Sequence, residues 1–237
     1  MTFPKPDFDA VALAAAADHA AACYPQESCG LIVAGAYHPC DNVSPAPETE
    51  FAIDPAEIVK AGADLQAVIH SHPDGLARPS AADMRAQIDL GCVFGIIPCM
   101  GGVAEAPLWW GDYRLDELLI GRRFIPGACD CYSLIRGYYW QMHQVKLPDF
   151  ARDEQWWKDG GDLYQQNFKA AGFVEVARAD IQPGDVFLGM VRADVPNHGG
   201  VFLERGLFLH HLEGRLSRRE PIGGWDKFIT HCLRYAG

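Results

Sequence analysis

Leu65-Gln66-Ala67-Val68-Ile69-His70-Ser71-His72-Pro73 runs an apolar segment straight into two histidines separated by one residue. The apolar run reads as a buried strand over 65–69. In extended backbone alternate side chains face opposite ways, so His70 and His72 leave one face while Ser71 points from the other. Two imidazoles placed so can share one cation. Helix and strand signals alternate around this segment. An alanine-rich helix is expected over 9–23 with Val11, Leu13 and neighbouring alanines buried, and a short apolar strand over 30–35. A helix over 55–63, a helix opened by Ser80 over 80–90, and strands over 92–97 and 103–109 complete an α/β half.

Asp83 lies one turn into the helix that Ser80 opens, so a tight turn after Pro73 can carry its carboxylate back over the strand end as a third ligand. Two histidines and one carboxylate leave the fourth zinc position for water. A buried glutamate beside that water can take its proton and later pass it to a leaving amine. Glu27, within Pro25-Gln26-Glu27-Ser28-Cys29-Gly30, suits that role. Ser80-Ala81-Ala82-Asp83 fits a helix N-cap with an acid in the first turn equally well, and His-x-His alone is a weak signal.

The chain has 237 residues, enough for two domains of roughly 115 residues each. With 31 acidic against 20 basic side chains and a formal charge of -11, it lacks the basic patch that nucleic-acid binding needs. The cluster Arg215, Arg218 and Arg219 falls among Glu213 and Glu220 and reads as a solvated loop. No secretory signal and no apolar run of about 20 residues is expected, so membrane insertion is not. Eight cysteines, none in a CxxC pair, read mostly as small buried hydrophobes. Gly121, Arg122, Arg123, Pro126 and Gly127 make 115–127 the candidate linker.

Beyond it, helices are expected over 131–144 and 163–171. Strands are expected over 186–191, 198–203 and 207–210, with a tight turn at 204–206. Cys131 opens the first of these helices in Cys129-Asp130-Cys131-Tyr132-Ser133, where the helix dipole favours a thiolate. His198 and His210 fall on successive strands whose turn can set them side by side. One could accept the thiol proton while the other orients its ring. His211 competes with His210 for the orienting role, and Cys129 reads as a spectator.

The joint pattern Glu27, His70-Ser71-His72-Pro73, ten intervening residues after His72, and Asp83 with Ser80 three before it resembles the JAMM metallopeptidase motif. The resemblance implies Zn2+ bound by His70, His72 and Asp83, with Glu27 as general acid and base and Ser80 helping to stabilise the oxyanion. The second half, with Asp130-Cys131 before an apolar helix, Pro183-Gly184-Asp185 before a strand, and two spaced histidines, resembles the NlpC-type cell-wall cysteine peptidases. By that resemblance Cys131 is the nucleophile, His198 the base and His210 the orienting residue. Tyr132-Ser133 departs from the Ser-Gly that many members carry after the cysteine.

Together these resemblances imply α/β plus α+β: a JAMM-like α/β domain over 1–120 followed by a papain-like NlpC-type domain over 121–237. The tandem is similar to tail tip proteins of lambda-like phages. It implies a peptide hydrolase that is made in the host cytoplasm, associates with the phage tail tip and acts in the host periplasm. Peptidoglycan stem peptides and other tail tip proteins are the implied partners, and a structural assembly protein with little turnover is the alternative.

Overall fold

A computed structural model describes residues 2–158 and 160–237. The chain forms two compact units, one from 4–79 and 85–113, the other from 2–3, 80–84 and 114–237.

The first unit begins with α1 (Ala10–Cys23), whose N-cap Asp9 accepts a hydrogen bond from the Val11 amide. Its buried stripe is Ala12, Ala16 and Ala20, four residues apart, and these small side chains let the helix lie close to Ile69 and Ile97. Val11, expected inside, is 77% exposed, because the alanine stripe and not the larger aliphatic residues sets the buried face. The sheet holds β1 (Cys29–Val33), β2 (Ala36–Cys40), β3 (Leu65–Pro73), β4 (Val93–Met100), β5 (Val103–Ala104) and β6 (Leu108–Trp110), with α2 (Pro55–Ala61) before β3. Its order is β2-β1-β3-β4-β5, with β6 also pairing β4. Among the described residues β3 and β4 are the parallel pair, which requires a crossover, and α3 (Ala81–Leu90) is that crossover. The strand expected over 103–109 is split into β5 and β6 with Pro107 between them, a residue that cannot donate to a ladder.

The second unit is built on α4 (Cys131–His143) and a six-stranded antiparallel sheet. The remaining elements are α5 (Leu163–Asn167), β7 (Phe173–Glu175), β8 (Val186–Gly189), β9 (His198–Phe202), β10 (Leu207–His210), β11 (Arg218–Pro221) and β12 (Ile229–Tyr235), in sheet order β11-β10-β9-β8-β12-β7. Ile135 and Tyr139 of α4 pack with Val186, Leu188, Val201 and Leu233 of the sheet. Gly200 has a packing reason, since a Cβ there would stand 2.6 Å from the Leu209 carbonyl oxygen and from the Phe187 ring.

Three further expectations differ from the structure. The 115–127 segment is not a free linker: Leu115 and Arg122 are buried, and the Arg122 amide donates to Ser217 Oγ. The helix expected over 163–171 stops at Asn167. The solvated loop around Arg218 and Glu220 is the strand β11, whose alternating pattern half-buries these two residues and leaves Arg219 exposed. The eight cysteines are free thiols, and Cys29, Cys99, Cys129, Cys131 and Cys232 are buried as the composition suggested. Among the described residues no helix is long and apolar enough to cross a membrane.

Candidate metal centre and thiol site

In the first unit, β3 delivers its histidines as alternation requires. His70 is 1% exposed, and its Nε2 stands 3.1 Å from His72 Nε2. Two imidazole nitrogens facing at that distance need a proton or a cation between them. Two ligands each about 2.0–2.1 Å from a tetrahedral zinc stand about 3.3 Å apart, so the donor set and spacing fit the ion. His72 Nδ1 lies 3.0 Å from the Leu76 carbonyl. Donating there fixes the tautomer that leaves Nε2 bare, the arrangement metal-binding histidines commonly show. The His70 ring stacks on Phe51 at 4.2 Å.

Ser71, facing the other way, has a separate job. Its Oγ accepts from the Ser28 amide at 2.8 Å, and its own amide donates to the Ser28 carbonyl. That pair ties the Glu27–Ser28 segment to the histidine strand. The Glu27 amide donates to the Pro47 carbonyl, and Asn42 Nδ2 donates to the Glu27 carbonyl. The backbone that carries Glu27 is therefore held on both sides. Glu27, His70 and His72 offer ligand atoms all within 4.8 Å of one another, and among the described residues they are the group that could hold a metal ion.

Asp83 and Ser80 bond to each other. Asp83 Oδ2 accepts from the Ser80 amide and from Ser80 Oγ, both at 2.8 Å, while the Asp83 amide donates back to Ser80 Oγ. This reciprocal pair caps α3, as Ser80-Ala81-Ala82-Asp83 suggested.

In the second unit, Cys131 is the first residue of α4 and is 7% exposed. Its placement follows from a buried charge network. Asp130 caps the helix in a capping box with Ser133, and the Arg152 guanidinium grips both its carboxylate oxygens at 2.6 and 2.9 Å. Arg152 also binds Asp149, which in turn binds Arg136. Burial works against the Asp130 charge, but Arg152 beside it keeps the carboxyl below its ordinary range. The sequence contained Arg152 but no signal for this pairing, which spans 22 residues.

The helix terminus was expected to favour a thiolate. Instead burial pushes the Cys131 thiol up to about 11, the adjoining Asp130 charge adds to the rise, and a hydrogen bond with the Tyr164 hydroxyl at 3.0 Å only partly offsets it. Burial and the neighbouring charge both favour the protonated sulfur. Tyr164, on α5, escaped the sequence reading because nothing local marks a contact with a residue 33 positions away.

His198 opens β9, and His210 closes β10. His198 Nε2 lies 3.1 Å from His210 Nδ1. Burial holds His198 down at about 3, with His210 and His211 adding to the drop, so its imidazole is neutral. Burial likewise lowers His210, to about 4, against the opposing pull of Glu220. His211 points elsewhere, with its ring edge against Phe124. Cys131, Tyr164 and His198 line one cavity of about 780 Å3, whose walls include Asn197, Trp156 and Trp225. A buried thiol, a neutral imidazole and a second imidazole bonded to the first make a set able to move a proton off sulfur.

Comparison with known proteins agrees with both descriptions. Residues 9–110 match the family described as prokaryotic homologs of the JAB domain, and residues 110–234 match the NlpC/P60 family. Tail tip assembly protein K of Escherichia phage N15 is 35% identical over 227 residues, covering 92% of this chain and 91% of that protein. Tail tip assembly protein K of Escherichia phage lambda is 37% identical over 170 residues, covering 72% of this chain and 81% of that protein. A protein named desampylase from Haloferax volcanii is 32% identical over 102 residues, covering 37% of this chain and 73% of that protein. A tail protein with two hydrolase-type domains, JAB-like and then NlpC/P60, accounts for the fold, the donor cluster and the thiol set together, and the chain belongs to the tail tip assembly protein K family.

Proposed function

We propose that the chain is a bifunctional tail tip peptidase whose C-terminal half, 121–237, cleaves peptidoglycan stem peptides with a cysteine nucleophile. What carries this reading is that Cys131 and His198 line the same cavity while His198 is hydrogen-bonded to His210. The Cys131 thiol gives its proton to His198 as the sulfur attacks the scissile carbonyl. The imidazolium then protonates the leaving amine, and water hydrolyses the resulting thioester. His210 orients the His198 ring. The bond beside a D-glutamyl residue next to diaminopimelate is the proposed target.

The N-terminal half, 1–120, is proposed to hydrolyse a peptide or isopeptide bond, with a tail protein as one candidate substrate. His70, His72 and Asp83 would hold Zn2+, which when bound acidifies a water and polarises the carbonyl. The paired Nε2 atoms of His70 and His72 support this assignment, while that of Asp83 rests on its spacing in the sequence. Glu27, fixed through Ser28 and Asn42, takes and returns a proton at its carboxylate, and Ser80 is proposed to steady the oxyanion. Action at the tail tip, reaching the host periplasm, follows from the family and the proposed substrate.

Peptidoglycan incubated with the protein, followed by mass spectrometry of the released fragments and metal analysis of the same sample, tests both halves. Stem-peptide fragments and stoichiometric zinc are the expected results. Intact peptidoglycan with the wild-type protein would remove the thiol-peptidase reading, and a metal-free protein after growth and purification with added zinc would remove the metal reading.

A further inference from the structure

The three strands β9, β10 and β11 are neighbours in the sheet, and their registers set His210 opposite both Gly200 and Arg218, and Phe208 opposite Glu220. Side chains two apart on a strand share a face. His198, His210 and Glu220 therefore fall on one diagonal of the sheet, each two residues from the partner directly across. The atoms connect along that diagonal: His198 Nε2 to His210 Nδ1 at 3.1 Å, and His210 Nε2 to Glu220 Oε2 at 3.2 Å. Glu220 is itself held in place. Its Oε2 accepts from Trp225 Nε1 at 2.9 Å, and its Oε1 is paired with Arg218. The Trp225 ring meets the His210 ring edge to face and lies against His198.

We propose that Glu220 is a positioning residue that sets the tautomer of both histidines through hydrogen bonds passed along this diagonal. A carboxylate only accepts, so His210 carries its proton on Nε2 and donates it to Glu220. A neutral His210 protonated there has a bare Nδ1, which accepts from His198 Nε2–H. His198 is then bare at Nδ1, the one ring nitrogen left to receive the thiol proton of Cys131. Had Glu220 been an amide, its NH2 could donate to His210 Nε2 and reverse every bond in the chain. The His198 lone pair would then face His210 and not the substrate. This inference rests on the thiol-peptidase reading for its consequence in turnover, but its structural content does not.

Long-range 1H–15N NMR of the imidazoles in the wild-type protein near pH 7 reads the tautomers directly and needs no substrate. Both His198 and His210 should carry the proton on Nε2, and finding it on Nδ1 of either ring overturns the proposal. Glu220→Gln should shift both rings toward the Nδ1–H form. It should also lower kcat on peptidoglycan about tenfold to a hundredfold with KM little changed, the range expected from losing one hydrogen bond to a charged group. Trp225→Phe removes the other donor to Oε2 while leaving the carboxylate, and should keep both tautomers as in wild type. If Glu220→Gln leaves the tautomers as they were, or Trp225→Phe disturbs them as much, Glu220 serves packing alone. Should Glu220→Gln fail to fold, the wild-type tautomers still decide. Absent digestion with the expected tautomers would count against the peptidase reading and not against this one.

Discussion

The two sites are built in opposite ways. The histidine pair of the first unit comes from one strand, with His70 and His72 two residues apart and Ser71 between them tying down the segment that carries Glu27. The thiol site draws Cys131 from a helix start, His198 and His210 from two strands and Tyr164 from a short helix, and it depends on the buried Asp130–Arg152 pair to present the helix. A site taken from one strand needs few supports, since strand geometry alone aims its side chains. A site gathered from four elements stands on polar groups that are costly to bury and must all be satisfied. The second site should therefore be the more sensitive to changes outside it.

The largest effects separate the two chemistries. Cys131→Ala should reduce release of stem-peptide fragments to background while zinc content stays that of wild type, and fragments released at the wild-type rate would end the thiol assignment. Glu27→Gln should slow metal-dependent hydrolysis by about 10²- to 10⁴-fold, the usual worth of a general base, and leave peptidoglycan digestion untouched. A parallel loss of digestion would show that the sites are not independent.

Arg152→Ala tests the dependence on buried support. It leaves the Asp130 carboxylate buried without its bidentate partner, a change that costs about 3–5 kcal/mol, read as a lower denaturation midpoint of the second unit. A loss below about 1 kcal/mol, the size of a surface pair, would erase the contrast drawn between the sites.

The pH dependence is next in size. His198 is lowered from 6.5 to about 3 and His210 to about 4, both by burial, so the unfolded chain binds protons that the folded one does not. The stability these neutral rings confer is complete above 6.5 and is lost progressively as the pH falls toward 4 and then 3. Urea midpoints of the second unit should drop between pH 7 and pH 4.5, and a flat profile would mean the rings are more open to solvent than their surroundings suggest.

Tyr164→Phe should have the smallest effect. It removes the hydroxyl that meets the Cys131 sulfur, costing about 0.5–1.5 kcal/mol and slowing alkylation of the thiol by a few-fold at neutral pH. Faster alkylation would show that the hydroxyl shields the sulfur more than it activates it.

Much of this was readable in the residue order. Strand alternation placed His70 and His72, and an apolar run bounded by Asp130 marked the helix that begins at Cys131. Successive strands with a tight turn set His198 beside His210. The failures share a cause. Val11 was expected inside because large aliphatic residues usually are, but the helix packs closely and alanines fill its inner face. The arginine-rich stretch looked solvated because charge counts do not show register, and register is what turns Arg218 and Glu220 toward His210. A thiolate was expected from the helix terminus, yet burial and the Asp130 charge outweigh that favourable field.

Local order therefore determined which residues could act, since alternation and helix caps depend only on neighbours a few positions away. The tertiary structure decided which of them meet: Glu27 with the paired histidines, Tyr164 with Cys131, Arg152 with Asp130, Glu220 with His210. Those meetings depend on sheet register and on charges that tolerate burial only together, and both arise from distant segments packing.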